Sequence, residues 1–432
     1  MMPFQFSFGA SSISFTSDPL RGFNGASQLP EYGLDHATVM RPRSRVRPLS
    51  RNNSDLSVDA WRLAHSVKKA DCARGITAVD LNTSAMGFLI ENFNLLDWSP
   101  DNLRLNNGMA DFYADFSRTS LSGRVAQGMA ILFMEERGYS YGGRFSTFLK
   151  SARGKVAARQ LLKSKAGSVR NPKTPDFIFE QHGTAVALAE SKGGFVSPNR
   201  IPDIKGDLRE ALQQLKGWDR LLQPQPSKSF AVGTYLRESD DFSDEPSLIA
   251  FVDPEPEEPY NPVHYPPELI RRCNYASWFA GMGFHDSAKR LQQGREGSYP
   301  IKRRLPILTL GHHRYAFVVL SVRPMFRDYV SFDERFWLDL DDLFFSPHSF
   351  HGGLRLEIMG VEMPILASLS KYLLTGKSEL LMHIETIIEK DLPQKVDEGK
   401  FRGSVFSDGT LFGEIQVSSP RFGGIAFEEV EL

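Results

Sequence analysis

Between residues 121 and 252 the apolar period of the chain switches from helical to extended and back, a pattern that neither a helical bundle nor an all-β sandwich accommodates. In SGRVAQGMAILFMEERG, Val125, Met129, Leu132 and Phe133 recur at helical spacing, and Gly138 supplies a stop. TPDFIFE then reads as a strand, QHGT as a turn, and AVALAESKG as a second strand of small apolar residues. DLREALQQLKGW returns to a helix with an apolar face of Leu208, Ala211, Leu212, Leu215 and Trp218. Its Asp207 and Glu210, three apart, resemble a capping box. SFAVGTYL and SLIAFV supply two more strands. The expected class is α/β, with 121–252 as one unit.

The flanks read differently. Residues 1–55 are rich in Ser, Pro, Asn and Gly and read as a flexible arm carrying Arg41, Arg43, Arg45, Arg47 and Arg51. Residues 56–120 are mostly helical in spacing. DPEPEEPYNPVHYPP, residues 253–267, holds six prolines in fifteen residues and reads as an interdomain linker. Residues 268–432 read as a mixed α/β domain. LPILTL and YAFVVLSV are neighbouring strands there, MPILASLSKYLL and ELLMHIETIIEK are helices, and SVFSDGTLFGEI is a hairpin turning at Asp408-Gly409.

The two central strands carry the chemistry. Pro175-Asp176 opens the first, and Glu190-Ser191-Lys192 lies fourteen residues beyond Asp176 on the second. Residues i and i+2 of a strand share a face, so Glu190 and Lys192 project together, and pairing through the short turn brings Asp176 near. Two neighbouring carboxylates repel unless a positive charge joins them, and Mg²⁺, which prefers hard oxygen ligands, does so. An ammonium such as Lys192 can then orient water or stabilise charge on a phosphate. The alternative is a hairpin with a surface ion pair. Pro202-Asp203-Ile204-Lys205 repeats the acid-x-Lys spacing without an apolar strand before it and reads as the approach to the next helix.

Pro175-Asp176 and Glu190-x-Lys192 on consecutive strands resemble the motif of the PD-(D/E)xK phosphodiesterases, the restriction-endonuclease-like nuclease superfamily. The resemblance covers roughly 121–252. It implies a restriction-endonuclease-like αβββαβ core, Mg²⁺ or Mn²⁺ dependence, and hydrolysis of nucleic acid, DNA ahead of RNA, by an endonuclease. Asp176 and Glu190 would be the metal ligands and Lys192 the catalytic ammonium. Restriction, phage defence and repair are the settings the superfamily suggests. Many members carry Gln-x-x-x-Tyr on the following helix; here Gln214-x-x-x-Trp218 stands there, with Gln213 as the alternate. Relatives often place a Glu on the first helix about eleven residues before its Gly-aromatic stop, and this chain has Gln127. Glu135 and Glu136 are candidates for the missing acid, read otherwise as a solvated turn.

Charge adds an independent argument. The chain has 51 Lys and Arg against 52 Asp and Glu, a net −1 that excludes a uniformly basic coat protein. That sum hides ten basic residues and no acid between Arg137 and Lys173. Arg144, Lys150, Arg153, Lys155, Arg159, Lys163, Lys165, Arg170 and Lys173 are the expected nucleic-acid contacts. The compensating acids lie in RESDDFSDEP and the proline-rich segment.

Other motifs are weak. His312-His313, His348 and His351 lack metal-ligand spacing, and no Gly-rich run with Lys-Ser/Thr follows a strand, which argues against ATP hydrolysis. Two cysteines, no long apolar run and no basic leader point to a cytoplasmic protein without a membrane span. The alternative function is a non-cutting nuclease-fold subunit that binds nucleic acid or assembles a complex, with the C-terminal region as a possible oligomer or partner surface.

Overall fold

A computed structural model of the chain describes residues 26–41, 54–72, 95–98, 101–112, 114–150, 173–181, 185–241, 245–294, 301–324, 354–384, 395–398, 401–417 and 426–432. The architecture is mixed α/β, built on two seven-stranded sheets. The first contains β1 (Ala26–Gly33), β2 (Asp55–Asp59), β3 (Tyr141–Arg144), β4 (Phe177–Glu180), β5 (Val186–Val196), β6 (Lys228–Arg237) and β7 (Leu248–Val252). Their spatial order is β2-β1-β7-β6-β5-β4-β3. β3, β4 and β5 form an antiparallel meander, and β6 runs parallel to β5. A parallel neighbour needs a crossover, and helix Ile204–Leu215 provides it.

The strand pattern follows the sequence closely in the middle of this sheet. Phe177, Ile178 and Phe179 of β4 and Val186, Ala187, Leu188 and Ala189 of β5 are all buried, so these strands are covered on both faces. Helices α1 (Ala60–Cys72) and α2 (Asp115–Glu135) pack on each other, and α2 packs on β5. Gly193 permits that contact: a Cβ there would meet Ala126 Cβ at 2.5 Å and the Ser122 carbonyl oxygen at 2.6 Å. Gly138, at φ +79°, ends the α2 segment as expected. α3 (Phe145–Lys150) follows β3, and α4 (Ile204–Leu215) covers β5 and β6. The cap of α4 is Asp203, whose carboxylate accepts from the Gly206 amide at 3.0 Å, and not Asp207 as the spacing suggested. Asp203, part of the decoy motif, is thereby accounted for.

One flanking expectation needs correction. Residues 26–33 were read as loose arm but form β1, parallel to β7 and antiparallel to β2. Leu29 is fully buried, and the edge of β7 gains main-chain partners that composition does not reveal. Among its described residues, 56–120 is helical in α1, in Met109–Phe112 and at the start of α2, with β2 preceding α1. Residues 1–25, 42–53 and 73–94, including Arg43, Arg45, Arg47 and Arg51, lie outside the described residues.

The second sheet is antiparallel throughout. It contains β8 (Lys302–Leu310), β9 (His313–Pro324), β10 (Leu354–Glu362), β11 (Lys395–Glu398), β12 (Phe401–Val405), β13 (Thr410–Val417) and β14 (Ala426–Glu431), ordered β11-β12-β13-β10-β9-β8-β14. The β8/β9 neighbours and the β12/β13 hairpin agree with their sequence signals, and Gly409 takes φ +71° in the turn. Helix Met363–Thr375 is as expected; only Glu379–Met382 of the following helix falls within the described elements. The proline-rich segment does not hang free: Tyr265 is buried and Val263–His264 pairs with Leu222–Gln223. One apolar core runs from Leu29 to Leu432 across it, with α5 (Leu269–Gly281) packed on β3. Among the described residues no helix is long and apolar enough to cross a membrane.

Candidate functional site

Register assembles the expected trio. Phe177 pairs with Ala189, which sets Asp176, one residue earlier, across from Glu190. The Asp176 amide donates to Glu190 Oε2 at 3.0 Å. β4 begins at Phe177, so beyond it the Ser191 main chain faces Asp176 instead of a strand. The Ser191 amide and hydroxyl both donate to Asp176 Oδ2, at 3.1 and 2.5 Å. Lys192 Nζ stands 3.2 Å from Glu190 Oε1.

Alternation along β5 divides the site between two helices. Lys192 reaches α4, with Nζ 3.6 Å from Glu210 Oε1, while the next residue, Gly193, abuts α2. Glu210 also pairs with Lys173 at 2.9 Å. The hydrogen bond from Lys173 and the charge of Lys192 hold the Glu210 carboxyl below its ordinary range. Lys173, the last of the ten basic residues, thus stands beside the catalytic lysine candidate. Glu210, absent from the expected site residues, was visible in the sequence only as the capping-box partner of Asp207.

Arg144 departs most from expectation. Read as a nucleic-acid contact, it has a side chain only 9% exposed and lies inside the site. Its Nη1 is 3.3 Å from Asp176 Oδ1, its Nη2 donates to Gln127 Oε1, and its Cζ stands 4.6 Å over the Phe177 ring. The Phe145 amide, next in the chain, donates to the Asp176 carbonyl at 3.0 Å and fixes the end of β3 against Asp176. Gln127 therefore belongs to the site through Arg144. Of the other expected contacts, Lys150 closes α3, while Arg153, Lys155, Arg159, Lys163, Lys165 and Arg170 lie outside the described residues.

Of the Gln214-x-x-x-Trp218 element, Trp218 lies in the core. Gln214 is half-buried on α4, and no hydrogen bond joins it to Asp176, Glu190 or Lys192. Trp218 is fully buried, edge-on to Phe145 at 4.8 Å, and its Nε1 donates to the Lys173 carbonyl at 3.1 Å. It anchors the chain just before Asp176. Trp218→Ala is expected to cost about 3–5 kcal/mol in urea unfolding; a loss under about 1 kcal/mol would contradict this anchoring. Of the two acids at the end of α2, Glu136 lies exposed in the turn, while Glu135 is half-buried on the helix. Glu135 accepts from the Ser407 amide at 2.7 Å, and Glu136 pairs with Arg62 at 2.6 Å, so α1 and the β12/β13 hairpin claim both acids.

Glu190 is 3% exposed. Burial, followed by the charge of Asp176, pushes its carboxyl up to about 8 against the opposing pull of Lys192. The fold therefore holds a proton on Glu190 that the unfolded chain, at the ordinary value of 4.5, releases. Between those values the folded state binds more protons, so this group lowers stability as pH rises from 4.5 to about 8. Glu190→Gln is expected to flatten that decline in urea unfolding series of the metal-free protein at three pH values across the window. An unchanged pH slope in the variant would refute it.

Among the described residues no three His, Cys, Asp or Glu side chains gather to hold a metal ion; the candidate site offers two carboxylates. His313 pairs with Glu362 at 2.7 Å, and His348 and His351 lie outside the described residues. Compared with known proteins, the chain matches no protein-family profile, no curated protein and no solved structure.

Proposed function

We propose that the protein is a metal-dependent nuclease of PD-(D/E)xK type, hydrolysing phosphodiester bonds of nucleic acid, with DNA the expected substrate. The observation that carries this reading is the buried Glu190, which accepts from the Asp176 amide and stands 3.2 Å from the half-buried Lys192. The order α2-β3-α3-β4-β5-α4-β6, with an antiparallel meander and a parallel fourth strand, supports it as well. Apart from the short α3 between β3 and β4, it agrees with the αβββαβ order the superfamily resemblance implies.

The donor chemistry fits Mg²⁺ or Mn²⁺. Two hard carboxylates lie opposite each other across neighbouring strands, and burial, with the charge of Asp176 added to it, raises the Glu190 carboxyl. Asp176 and Glu190 would hold the ion. Such an ion, when bound, supplies Lewis acidity toward a water and a phosphoryl oxygen. Lys192 places a fixed ammonium 3.2 Å from Glu190, where it can stabilise the charge that builds on the phosphate as the P–O bond breaks. Lys173 offers a half-exposed cation on the substrate side of the same cluster.

A second reading, a nuclease-fold subunit that binds without cutting, is favoured by Gln127. It stands where relatives often carry an acid and is committed to Arg144. Incubation of plasmid DNA and of RNA with Mg²⁺ or Mn²⁺, beside Glu190→Ala and Lys192→Ala variants, separates the two. Metal-dependent cleavage lost in both variants supports the nuclease. Equal cleavage by all three proteins, or binding without cleavage in either metal, removes it.

A further inference from the structure

Both oxygens of the Asp176 carboxylate are already engaged. Oδ2 accepts from the Ser191 amide and hydroxyl, and Oδ1 faces the Arg144 guanidinium at 3.3 Å. That guanidinium is held from three directions: by Asp176, by the Gln127 carbonyl oxygen on α2, and by the face of Phe177. It is nine-tenths buried, so solvent screens it little. A planar cation that forks between two oxygens and stacks on a ring is pre-organised and is not a mobile surface charge. Lys192 stands beside Glu190, and Arg144 beside Asp176.

We infer that Arg144 is a built-in counter-cation of the candidate metal site, which a divalent ion must displace from Asp176 in order to bind. The inference rests on the nuclease reading and adds to it a positioning and gating residue that the sequence assigned to substrate contact. Two consequences follow from elementary electrostatics. A fixed positive charge close to a binding cation opposes it, so the wild-type chain binds divalent metal more weakly than its two carboxylates allow. And metal binding frees a guanidinium suited to a phosphate.

Mn²⁺ titration calorimetry on the full chain tests this with four proteins: wild type, Arg144→Met, Arg144→Lys and Asp176→Asn. Arg144→Met, which removes the charge and keeps apolar bulk over Phe177, is expected to bind Mn²⁺ at least about tenfold more tightly than wild type. Arg144→Lys, which keeps the charge, is expected to stay within about threefold of wild type, and Asp176→Asn to lose binding. Circular dichroism establishes that each variant is folded, and Arg144→Gln replaces Arg144→Met in the comparison if the latter is not. Mn²⁺ affinity in the neutral variant equal to or below that of wild type overturns the role of Arg144, and leaves the nuclease reading standing where wild type binds metal and cleaves. Silence toward Mn²⁺ in wild type and neutral variant alike overturns both. Binding only by the neutral variant supports the inference and marks wild type as held shut by Arg144.

Discussion

Cleavage by Lys192→Met is expected to fall by about two to three orders of magnitude, with substrate affinity changed little. Lys192 is the cation nearest Glu190 and its side chain is 19% exposed, so its charge acts in a partly water-excluded setting. Met keeps the apolar stem and removes only the ammonium. An interaction made mainly as charge develops on the phosphate appears in kcat and not in binding. Lys173→Ala is the contrast. Lys173 is half-exposed and pairs with Glu210 across the surface, so its loss is expected to weaken binding and reduce the salt dependence by about one unit. Single-turnover cleavage and filter binding at several salt concentrations separate the two outcomes. A Lys192→Met protein that cleaves at near wild-type rate would remove Lys192 from the chemistry.

Asp408→Ala is expected to lower stability by about 3–5 kcal/mol. Asp408 is fully buried in the turn of the β12/β13 hairpin and collects four donors. Lys69 Nζ lies at 2.6 Å and Asn274 Nδ2 at 2.7 Å from Oδ2; the Thr410 amide and hydroxyl reach Oδ1 at 3.1 and 2.6 Å. Burial by itself would raise this carboxyl, but Lys69 and the Thr410 and Asn274 hydrogen bonds hold it below the ordinary value of 3.8. Its contribution is therefore complete at neutral pH and declines as pH falls below that value. Removing Asp408 alone strands the buried Lys69 ammonium, which is why the expected loss is large. Combining it with Lys69→Met removes both charges and is expected to restore most of the loss. Urea unfolding of the two single variants and the double variant reads this directly; additive losses would contradict the pairing.

The same cluster shows why the chain behaves as one packed body instead of beads on a linker. Lys69 comes from α1, Asn274 from α5 and Asp408 from the C-terminal hairpin, and Glu135 at the end of α2 accepts from Ser407 beside them. Six prolines in 253–267 signalled a break in secondary structure correctly. They carried no information about whether the segments on either side share a core, because proline restricts local backbone and says nothing of long-range contact.

The candidate site was partly legible. Asp176, Glu190 and Lys192 could be grouped from the chain because strand alternation is local and a short connection fixes register. Gln127 was singled out by its spacing from the Gly138 stop, and its partner was not. Arg144 was counted with a run of cations, since sequence registers charge but not the direction in which a side chain points. Trp218 stood at a motif position for a site residue, yet the buried space beside Phe145 claimed it for the core. Glu135 looked solvated at a helix end until α1 and the hairpin covered it.

Period and punctuation along the chain determined the central strands, α2, α4 and the carboxylate–lysine trio, because those signals depend on neighbours within a few residues. Only the tertiary structure decided that 26–33 closes the β7 edge, that Asp408 is a buried ionic hub, and that Arg144 stands against Asp176. Each of these depends on which distant segment arrives to exclude water. Burial determines whether a charge is a solvated ornament or a counter-ion, and burial is a property of the whole fold.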